Sequence, residues 1–492
     1  MNKDNTIGGD FAVQVYNSLT GTKEALKTLL PGEVSIYVCG MTVYDYCHLG
    51  HARVLVVFDS VVRYLRSVGA KVHYVRNITD IDDKIINRAN ENGETCSALA
   101  ERFIAAMHED EKALNVLPPD MEPQATMFID DIIALIERLE KAGYAYKSRS
   151  GDVLYRVRHF EGYGQLSGRS IDELLVGARV ELNVDKEDPL DFVLWKKSKP
   201  GEPQWASPWG SGRPGWHIEC SAMSMKCLGE SFDIHAGGMD LKFPHHENEI
   251  AQSEASTGRK FVNYWMHNGY LQIDSEKMSK SEGNFYTIRE ILDSDANILR
   301  IGEVIRFMIL SSHYRSPLNF SKQSIDNAKA SLTRLYLVLS RSGDVAMRKE
   351  SSCDSRYSVL FNTAMADDFN TPEAIAVLFS LVREINRLLD NNLVNDAREL
   401  CSELKYLANV LGLLSQEPIM FLKGLSAETS NNETATVEWI ERLIEERATA
   451  RMAGDWAKAD RIRGDLLEQG ILLEDDGNGQ TSWRLEEVYT GE

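Results

Sequence analysis

The sequence has no long apolar segment of the kind that crosses a membrane. None of its apolar runs approaches the about 18 residues that a spanning helix needs, so we expect no membrane span. The first residues, MNKDNTIGGD, have neither the basic start nor the apolar stretch of a secretory signal. We therefore expect a cytoplasmic protein.

Cysteine is scarce, and no two cysteines form a CxxC motif. The seven cysteines lie at positions 39, 47, 96, 220, 227, 353 and 401. An odd number scattered over the whole chain argues against a disulfide framework and is typical of a reduced, intracellular protein. Any cysteine with a chemical role should then act as a free thiol, and the others should be small buried side chains.

Basic residues are outnumbered by acidic ones. The chain has 54 lysines and arginines against 74 aspartates and glutamates, for a net charge of −20. This balance argues against a generally basic nucleic-acid-binding protein, so any such surface must be a local patch. The length of 492 residues predicts several domains.

The pattern of apolar residues predicts an α/β protein. Residues 33–40 (EVSIYVCG) are strand-like, 53–69 show helical spacing, and 71–79 return to a strand, which together make a βαβ unit and predict a parallel sheet. After residue 215 the chain again reads as helix, strand and helix. From about 290 to 415 it reads as one helix after another.

Two histidines bracket a glycine directly after the first predicted strand of this unit. His48 and His51 in HLGH lie three residues apart at a helix start, where both imidazoles can face a phosphate held at the helix N-terminus. Gly50 between them allows a flat ring to approach the backbone. The alternative is two unrelated histidines.

A second polar motif, KMSKS, stands at 277–281. Lys277 and Lys280, with the serines around them, offer point charges and hydroxyl donors for a polyphosphate. A lone lysine pair is more often an exposed basic turn. The joint occurrence of HLGH and KMSKS favours the nucleotide-binding interpretation.

This pair of motifs resembles the signatures of class I aminoacyl-tRNA synthetases. From about residue 11 onward the chain is similar to the cysteinyl-tRNA synthetase family, and the similarity is carried by YVCGMTVYDYCHLGH, RNITDIDDKI, PGWHIECSAMS, FDIHAGGMDLKFPHHENEIAQSEA and YWMHNGYLQIDSEKMSKS. The resemblance implies activation of L-cysteine with ATP and Mg²⁺, then transfer to tRNA(Cys). It assigns catalytic roles to His48, His51, Lys277 and Lys280.

The resemblance also implies one zinc ion per chain at the amino-acid pocket. Its ligands match Cys39, Cys220, His245 and Glu249, and thiolate, imidazole and carboxylate are all zinc donors. The residues alone leave this open, because His245 and Glu249 at i, i+4 could also be a surface ion pair. With four protein ligands, binding of the substrate thiol requires either a fifth coordination position or release of Glu249, and the sequence leaves both open.

Further residues around the pocket follow from the same resemblance. Trp216 would bind the amino acid, with a core aromatic as the alternative role. Gly50, Gly238, Asp240 and Lys280 would bind ATP, the aspartate through ribose hydroxyls. His235 is a weaker candidate, for which we expect a structural role.

The expected architecture is a Rossmann-like, parallel-sheet catalytic domain split by an insertion, then an α-helical bundle and a small α+β C-terminal module. The predicted segments are the first catalytic half at 1–115, a connective insertion at 116–215, the second catalytic half with KMSKS at 216–290, the bundle at 291–425, a linker at 426–436 and an anticodon-binding module at 437–492.

The predicted C-terminal module helps to distinguish between the alternative functions. Its candidate tRNA contacts are Arg451, Trp456, Arg461, Arg463 and Trp483, although 437–485 holds 7 basic against 11 acidic residues. A cysteine ligase acting on an amino-sugar would resemble the catalytic half but lack such a module. A non-catalytic zinc- and nucleotide-binding regulator would not need all four signature side chains. We expect a monomer.

Overall fold

The computed structural model describes residues 7, 11–173, 185–273, 276–277, 286–343, 345–348, 355–424, 437–467, 471–475 and 481–485. For some of these, Lys277 among them, only the backbone is described. Among the helices described, none is long and apolar enough to cross a bilayer. The cysteines within these ranges are all free thiols.

A four-stranded parallel sheet forms the centre of the predicted catalytic domain, in the order β10–β9–β3–β4. Its first part and the elements before the insertion are β1 (Gln14–Asn17), β2 (Thr22–Ala25), β3 (Glu33–Val38), α1 (Leu49–Ser67), β4 (Lys71–Arg76), α2 (Asp83–Asn92), α3 (Cys96–Ala113) and α4 (Ile129–Lys141). The predicted α/β fold with a parallel sheet is confirmed.

An antiparallel sheet interrupts the parallel one between its second and third strands along the chain. Its strands are β5 (Ala145–Lys147), β6 (Val153–Tyr155), β7 (Phe192–Lys197) and β8 (Gly212–Pro214), paired in that order. Gly215 leads from β8 into the next helix. A Cβ there would lie 2.1 Å from the carbonyl oxygen of Val193, so the close approach of the two backbones requires glycine.

The parallel sheet then resumes, and two short strands of a separate small sheet follow it. The elements are α5 (Trp216–Leu228), β9 (Phe232–Gly238), α6 (Glu247–Thr257), β10 (Val262–Asn268), β11 (Leu271–Ile273) and β12 (Glu276–Lys277). Since β3 pairs with β4 on one side and with β9 on the other, the strand order reverses between β3 and β9. In open α/β sheets this switch point, at the carboxyl ends of the strands, is where ligands bind.

Helices dominate the next part of the chain, as the sequence predicted. They are α7 (Ile288–Leu292), α8 (Ile298–Leu310), α9 (Lys322–Ser342), α10 (Arg356–Ala366), α11 (Thr371–Asp390), α12 (Val394–Val410) and α13 (Pro418–Lys423). One strand that we did not predict, β13 (Leu318–Phe320), lies among them and pairs in parallel with β11. A single apolar core runs from the parallel sheet into these helices.

The last described elements form a small α+β module. Helices α14 (Val437–Met452) and α15 (Trp456–Leu467) pack on a hairpin of β14 (Ile471–Asp475) and β15 (Thr481–Leu485). Lys423 at the end of α13 contacts this module, with its Nζ 2.9 Å from Glu441. The two helices and the strand pair agree with the sequence prediction, while the predicted linker 426–436 lies outside the described residues. The exact domain boundaries stay predictions.

Candidate active site and metal centre

Four side chains from separate elements converge at the carboxyl end of β3. The Sγ of Cys39 lies 3.7 Å from the Sγ of Cys220 and 3.5 Å from Oε1 of Glu249. Nε2 of His245 lies 3.1 Å from the same carboxylate oxygen. All four side chains are buried, and their donor atoms lie within 4.8 Å of one another. The structure thus brings together the four residues that the family resemblance implied as metal ligands.

The electrostatics of this cluster suit a divalent cation. Burial alone would raise the pKa of Glu249, but His235 and His245 lower it to about 2. A hydrogen bond from Cys39 lowers the pKa of the Cys220 thiol to about 6, whereas burial raises the pKa of Cys39 well above its usual range. Two sulfurs, one imidazole and one carboxylate form a donor set that zinc accepts.

A metal ion would also replace a proton within the cluster. Although burial lowers the pKa of His245, the charges of Cys220 and Glu249 outweigh it and raise that pKa to about 10. These negative charges favour a proton on the imidazole, and they would equally favour a cation among the four donors. Binding of a cation would release this proton, as is usual when histidine becomes a ligand.

His235 holds the carboxylate of Glu249 from the other side. Its Nε2 lies 2.9 Å from Oε2 of Glu249, and both side chains are fully buried. Its ring stacks on the indole of Trp265 at a centroid distance of 4.5 Å. We expected only a structural role for this histidine, and its position beside Glu249 suits a partner that orients a metal-binding carboxylate.

Three more histidines, in or behind the wall of the cluster, were not predicted from the sequence: His217 pairs with His245, His246 lies beside His235, and His267 pairs with His246. Nδ1 of His217 lies 2.9 Å from Nδ1 of His245, and burial lowers the pKa of His217 to about 3, so its ring is neutral. Nδ1 of His246 lies 2.8 Å from Nε2 of His267. Two of them could have been found in the sequence, because His217 directly follows Trp216 and His246 is the second histidine of the HH pair.

An indole ring and a tight backbone contact lie next to the cluster. The ring of Trp216 lies 4.3 Å from that of His245, and this tryptophan is 38% exposed. The backbone N–H of Gly40 donates to the side-chain oxygen of Asn77 at 2.8 Å. A Cβ on Gly40 would lie 1.6 Å from the carbonyl oxygen of Asn77, so only glycine fits between β3 and β4 at this point.

The HLGH motif begins helix α1, as predicted. His48 is the N-cap, and its imidazole accepts from the backbone N–H of His51 at 3.3 Å, while the ring of His51 accepts from the backbone of His48 at 3.2 Å. The two rings stack at 3.6 Å. Gly50 lies in the first turn. Both imidazoles therefore stand at a helix N-terminus, where an anion is favoured.

The remaining candidate ATP-binding residues fall partly within the described residues. Gly238 ends β9, and Asp240 follows it with an exposed side chain in a short 3-10 helix, Met239–Leu241, at the carboxyl edge of the sheet. Lys277 is described only as backbone, in β12, and Lys280 lies outside the described residues.

The candidate tRNA contacts divide into exposed and buried side chains. Trp456 is 61% exposed, and Arg461 and Arg463 are exposed on the same helix. Nη1 of Arg451 lies 3.0 Å from Asp475. Trp483 is only 4% exposed and belongs to the core of the module, so of the two tryptophans predicted as tRNA contacts Trp456 is the exposed one.

Three family models match the chain. They are described as a tRNA synthetases class I (C) catalytic domain, over residues 25–330, a DALR domain, over 360–415, and a cysteinyl-tRNA ligase anticodon binding domain, over 436–484. The first of these alone spans more than half of the chain.

Similar proteins include a cysteine–tRNA ligase of Methylococcus capsulatus, 58% identical over 475 residues, and one of Coxiella burnetii, 56% identical over 476 residues. Each alignment covers 96% of this chain and 100% of the relative. A solved structure, Mycobacterium tuberculosis methionyl-tRNA synthetase in complex with methionyl-adenylate, superposes with a TM-score of 0.54 at 14% identity, over 81% of this chain and 92% of that one. This similarity supports the fold alone. From the family models and the extent of the sequence identity, the chain belongs to the cysteine–tRNA ligase family of class I aminoacyl-tRNA synthetases.

Proposed function

We propose that this chain joins L-cysteine to tRNA(Cys) in two steps that consume ATP. The observation that carries the proposal is the buried cluster of Cys39, Cys220, His245 and Glu249 at the sheet edge where HLGH begins a helix. A thiol-selective metal site close to a phosphate-binding helix N-terminus is what cysteine activation requires.

The four clustered donors would hold one zinc ion per chain. When bound, zinc takes a thiol as its thiolate near neutral pH, whereas a serine hydroxyl stays protonated and binds weakly. Packing alone separates side chains that differ by one methylene by only ~10–200-fold. The protein's own part is to keep Glu249 ionised through His235 and to place Trp216 over the amino-acid pocket.

The first step is formation of cysteinyl-adenylate. The carboxylate of cysteine attacks the α-phosphorus of ATP in line, a new P–O bond forms, and pyrophosphate leaves with the bridging oxygen. His48 and His51 stabilise the charge that grows on the α-phosphoryl oxygens. We propose that Lys277 and Lys280 hold the β- and γ-phosphates together with Mg²⁺.

The nucleoside part of ATP would lie along the end of β9. Gly238 lets adenosine approach the backbone, and the exposed carboxylate of Asp240 can accept from the ribose hydroxyls. Gly50 would let the phosphates of ATP approach the backbone in the same way. In the second step, a hydroxyl of the terminal adenosine of tRNA attacks the cysteinyl carbonyl and AMP leaves.

The C-terminal module would recognise the anticodon. Trp456 would stack on an unpaired base, which is worth ~1–3 kcal/mol. Arg461 and Arg463 would contact phosphates, and Arg451 would do so from its place beside Asp475. Trp483, predicted as a second stacking residue, would support this surface from the core of the module.

Assembly and location complete the proposal. We propose a monomer in the cytoplasm, where reducing conditions keep the facing thiols of Cys39 and Cys220 from forming a disulfide. The match of residues 436–484 to an anticodon-binding family model argues against the amino-sugar ligase alternative.

The direct test is charging of tRNA with labelled cysteine. The purified chain with ATP and Mg²⁺ should form cysteinyl-tRNA and should form no cysteinyl product with glucosamine as acceptor. Cysteine transfer to the amino-sugar without tRNA charging would refute the proposed acceptor.

A further inference from the structure

Main-chain hydrogen bonds join the HLGH segment to residues 286–288, which follow KMSKS along the chain. The N–H of Leu49, within HLGH, donates to the carbonyl of Tyr286 at 3.3 Å. The N–H of Ile288 donates to the carbonyl of Cys47 at 2.8 Å. The segment that follows KMSKS along the chain therefore lies against HLGH.

The next residue, Arg289, fastens this contact to helix α3. Its Nε lies 3.1 Å from Oδ1 of Asp110, and its Nη2 donates to Glu109 at 2.6 Å and to the carbonyl of Ala106 at 2.9 Å. The guanidinium carbon lies 5.1 Å from the ring centre of Tyr46, a cation–π distance. One side chain thus contacts α3 and the residues just before HLGH.

Asp110 supports this contact from within α3. Its side chain is 2% exposed, and its carboxylate pairs with Arg289. Cys47 directly precedes His48, and Arg289 directly follows Ile288. The buried carboxylate therefore holds the one side chain that reaches from the segment after KMSKS to Tyr46, just before HLGH.

We infer that Arg289 and Asp110 are positioning residues for ATP. By fixing segments 46–49 and 286–289 on one helix, they set the separation between the groups that bind the α-phosphate and those that bind the β- and γ-phosphates. The inference rests on the proposed function. In-line transfer is sensitive to such placement, since a misplacement of ~1 Å can cost on the order of 100-fold.

Cysteine-dependent ATP–pyrophosphate exchange with the full chain tests this role. In Arg289→Ala and Asp110→Asn, kcat/KM for ATP should fall by about 10- to 100-fold. The KM for cysteine and the zinc content should stay those of the native chain, because neither residue approaches the metal cluster. Arg289→Lys keeps the charge but loses the planar fork, so it should recover only part of the loss.

Glu109→Ala is the matched control. The Glu109 side chain is 71% exposed and pairs with the same arginine. Exposed ion pairs contribute little to the stability of a contact, so this variant should keep the native kcat/KM for ATP.

Native kcat/KM for ATP in both Arg289→Ala and Asp110→Asn would overturn the inference. An equal loss for ATP and cysteine together with loss of zinc would also overturn it, because that pattern reports general disruption. If Arg289→Ala does not fold, Arg289→Lys and Asp110→Asn decide by the same criteria. A native chain without cysteine-dependent exchange would refute the proposed function instead.

Discussion

Replacing His245 by alanine tests the metal cluster at one of its four donors. The imidazole is 2% exposed, and its Nε2 lies 3.1 Å from Oε1 of Glu249. Without it, Glu249 keeps His235 as its histidine partner, at 2.9 Å. A zinc ion would have three protein donors left, in a site whose remaining carboxylate and thiols are still buried.

The expected loss of metal affinity can be judged from the loss caused by a smaller change. Loss of a group that only orients a metal ligand reduces metal affinity by about 10–100-fold. Loss of a ligand itself should cost at least as much, which corresponds to at least ~1.4–2.8 kcal/mol. The KM for cysteine should rise with the loss of zinc, while the KM for ATP should stay near the native value because His48 and His51 are untouched.

The assay is metal analysis of the purified native and variant chains after dialysis against a chelator, followed by exchange kinetics. His73→Ala is the control, since its imidazole is 44% exposed and pairs with Glu33 at the surface, 2.7 Å away. The control should retain zinc. A His245→Ala chain that keeps stoichiometric zinc and the native KM for cysteine would refute the ligand assignment.

Three further predictions follow from other parts of the chain. Lys280→Ala should lower kcat for adenylate formation and leave the KM for cysteine and the zinc content unchanged, because its contact is strongest as phosphate charge develops; an altered KM for cysteine with native kcat would contradict this. A chain that ends at residue 424 should keep pyrophosphate exchange, but its charging of tRNA should fall sharply. In the full chain, charging of tRNA should weaken as the salt concentration rises. Equal charging by the truncated and full chains would exclude an anticodon role for the module. Burial raises the pKa of Asp110 to about 6 in the folded chain, against the attraction of Arg289 and with smaller repulsion from Glu109 and Glu111. The folded chain therefore binds a proton there that the unfolded chain releases, so the stability due to this group should fall as the pH rises from about 4 to 6 and stay level above. The difference in unfolding free energy between native and Asp110→Asn chains should follow that slope, and a flat difference would contradict it.

The regular elements of the parallel sheet could be predicted because each has its own local pattern. The strand 33–38 and the helix that HLGH begins follow from apolar spacing and from a capping residue within a few positions. β13 could not be predicted this way. It has three residues, and its identity depends on pairing with β11, which is more than 40 positions earlier along the chain.

The prediction of the metal cluster depended on the family resemblance and not on local patterns. Cys39 is 181 positions from Cys220 and 210 from Glu249, so no spacing rule connects them, and only the resemblance to a family did. His217, His246 and His267 gain their meaning from neighbours brought by other elements. For the same reason, the sequence could not distinguish the buried Trp483 from the exposed Trp456.

The central claim is that this chain activates cysteine at a site that selects a thiol. The most direct measurement is ATP–pyrophosphate exchange by the purified native chain with cysteine or serine as the amino acid. The account predicts exchange that depends on cysteine and is absent with serine at equal concentration. Exchange that is equal with both amino acids, or that does not depend on cysteine, would contradict it.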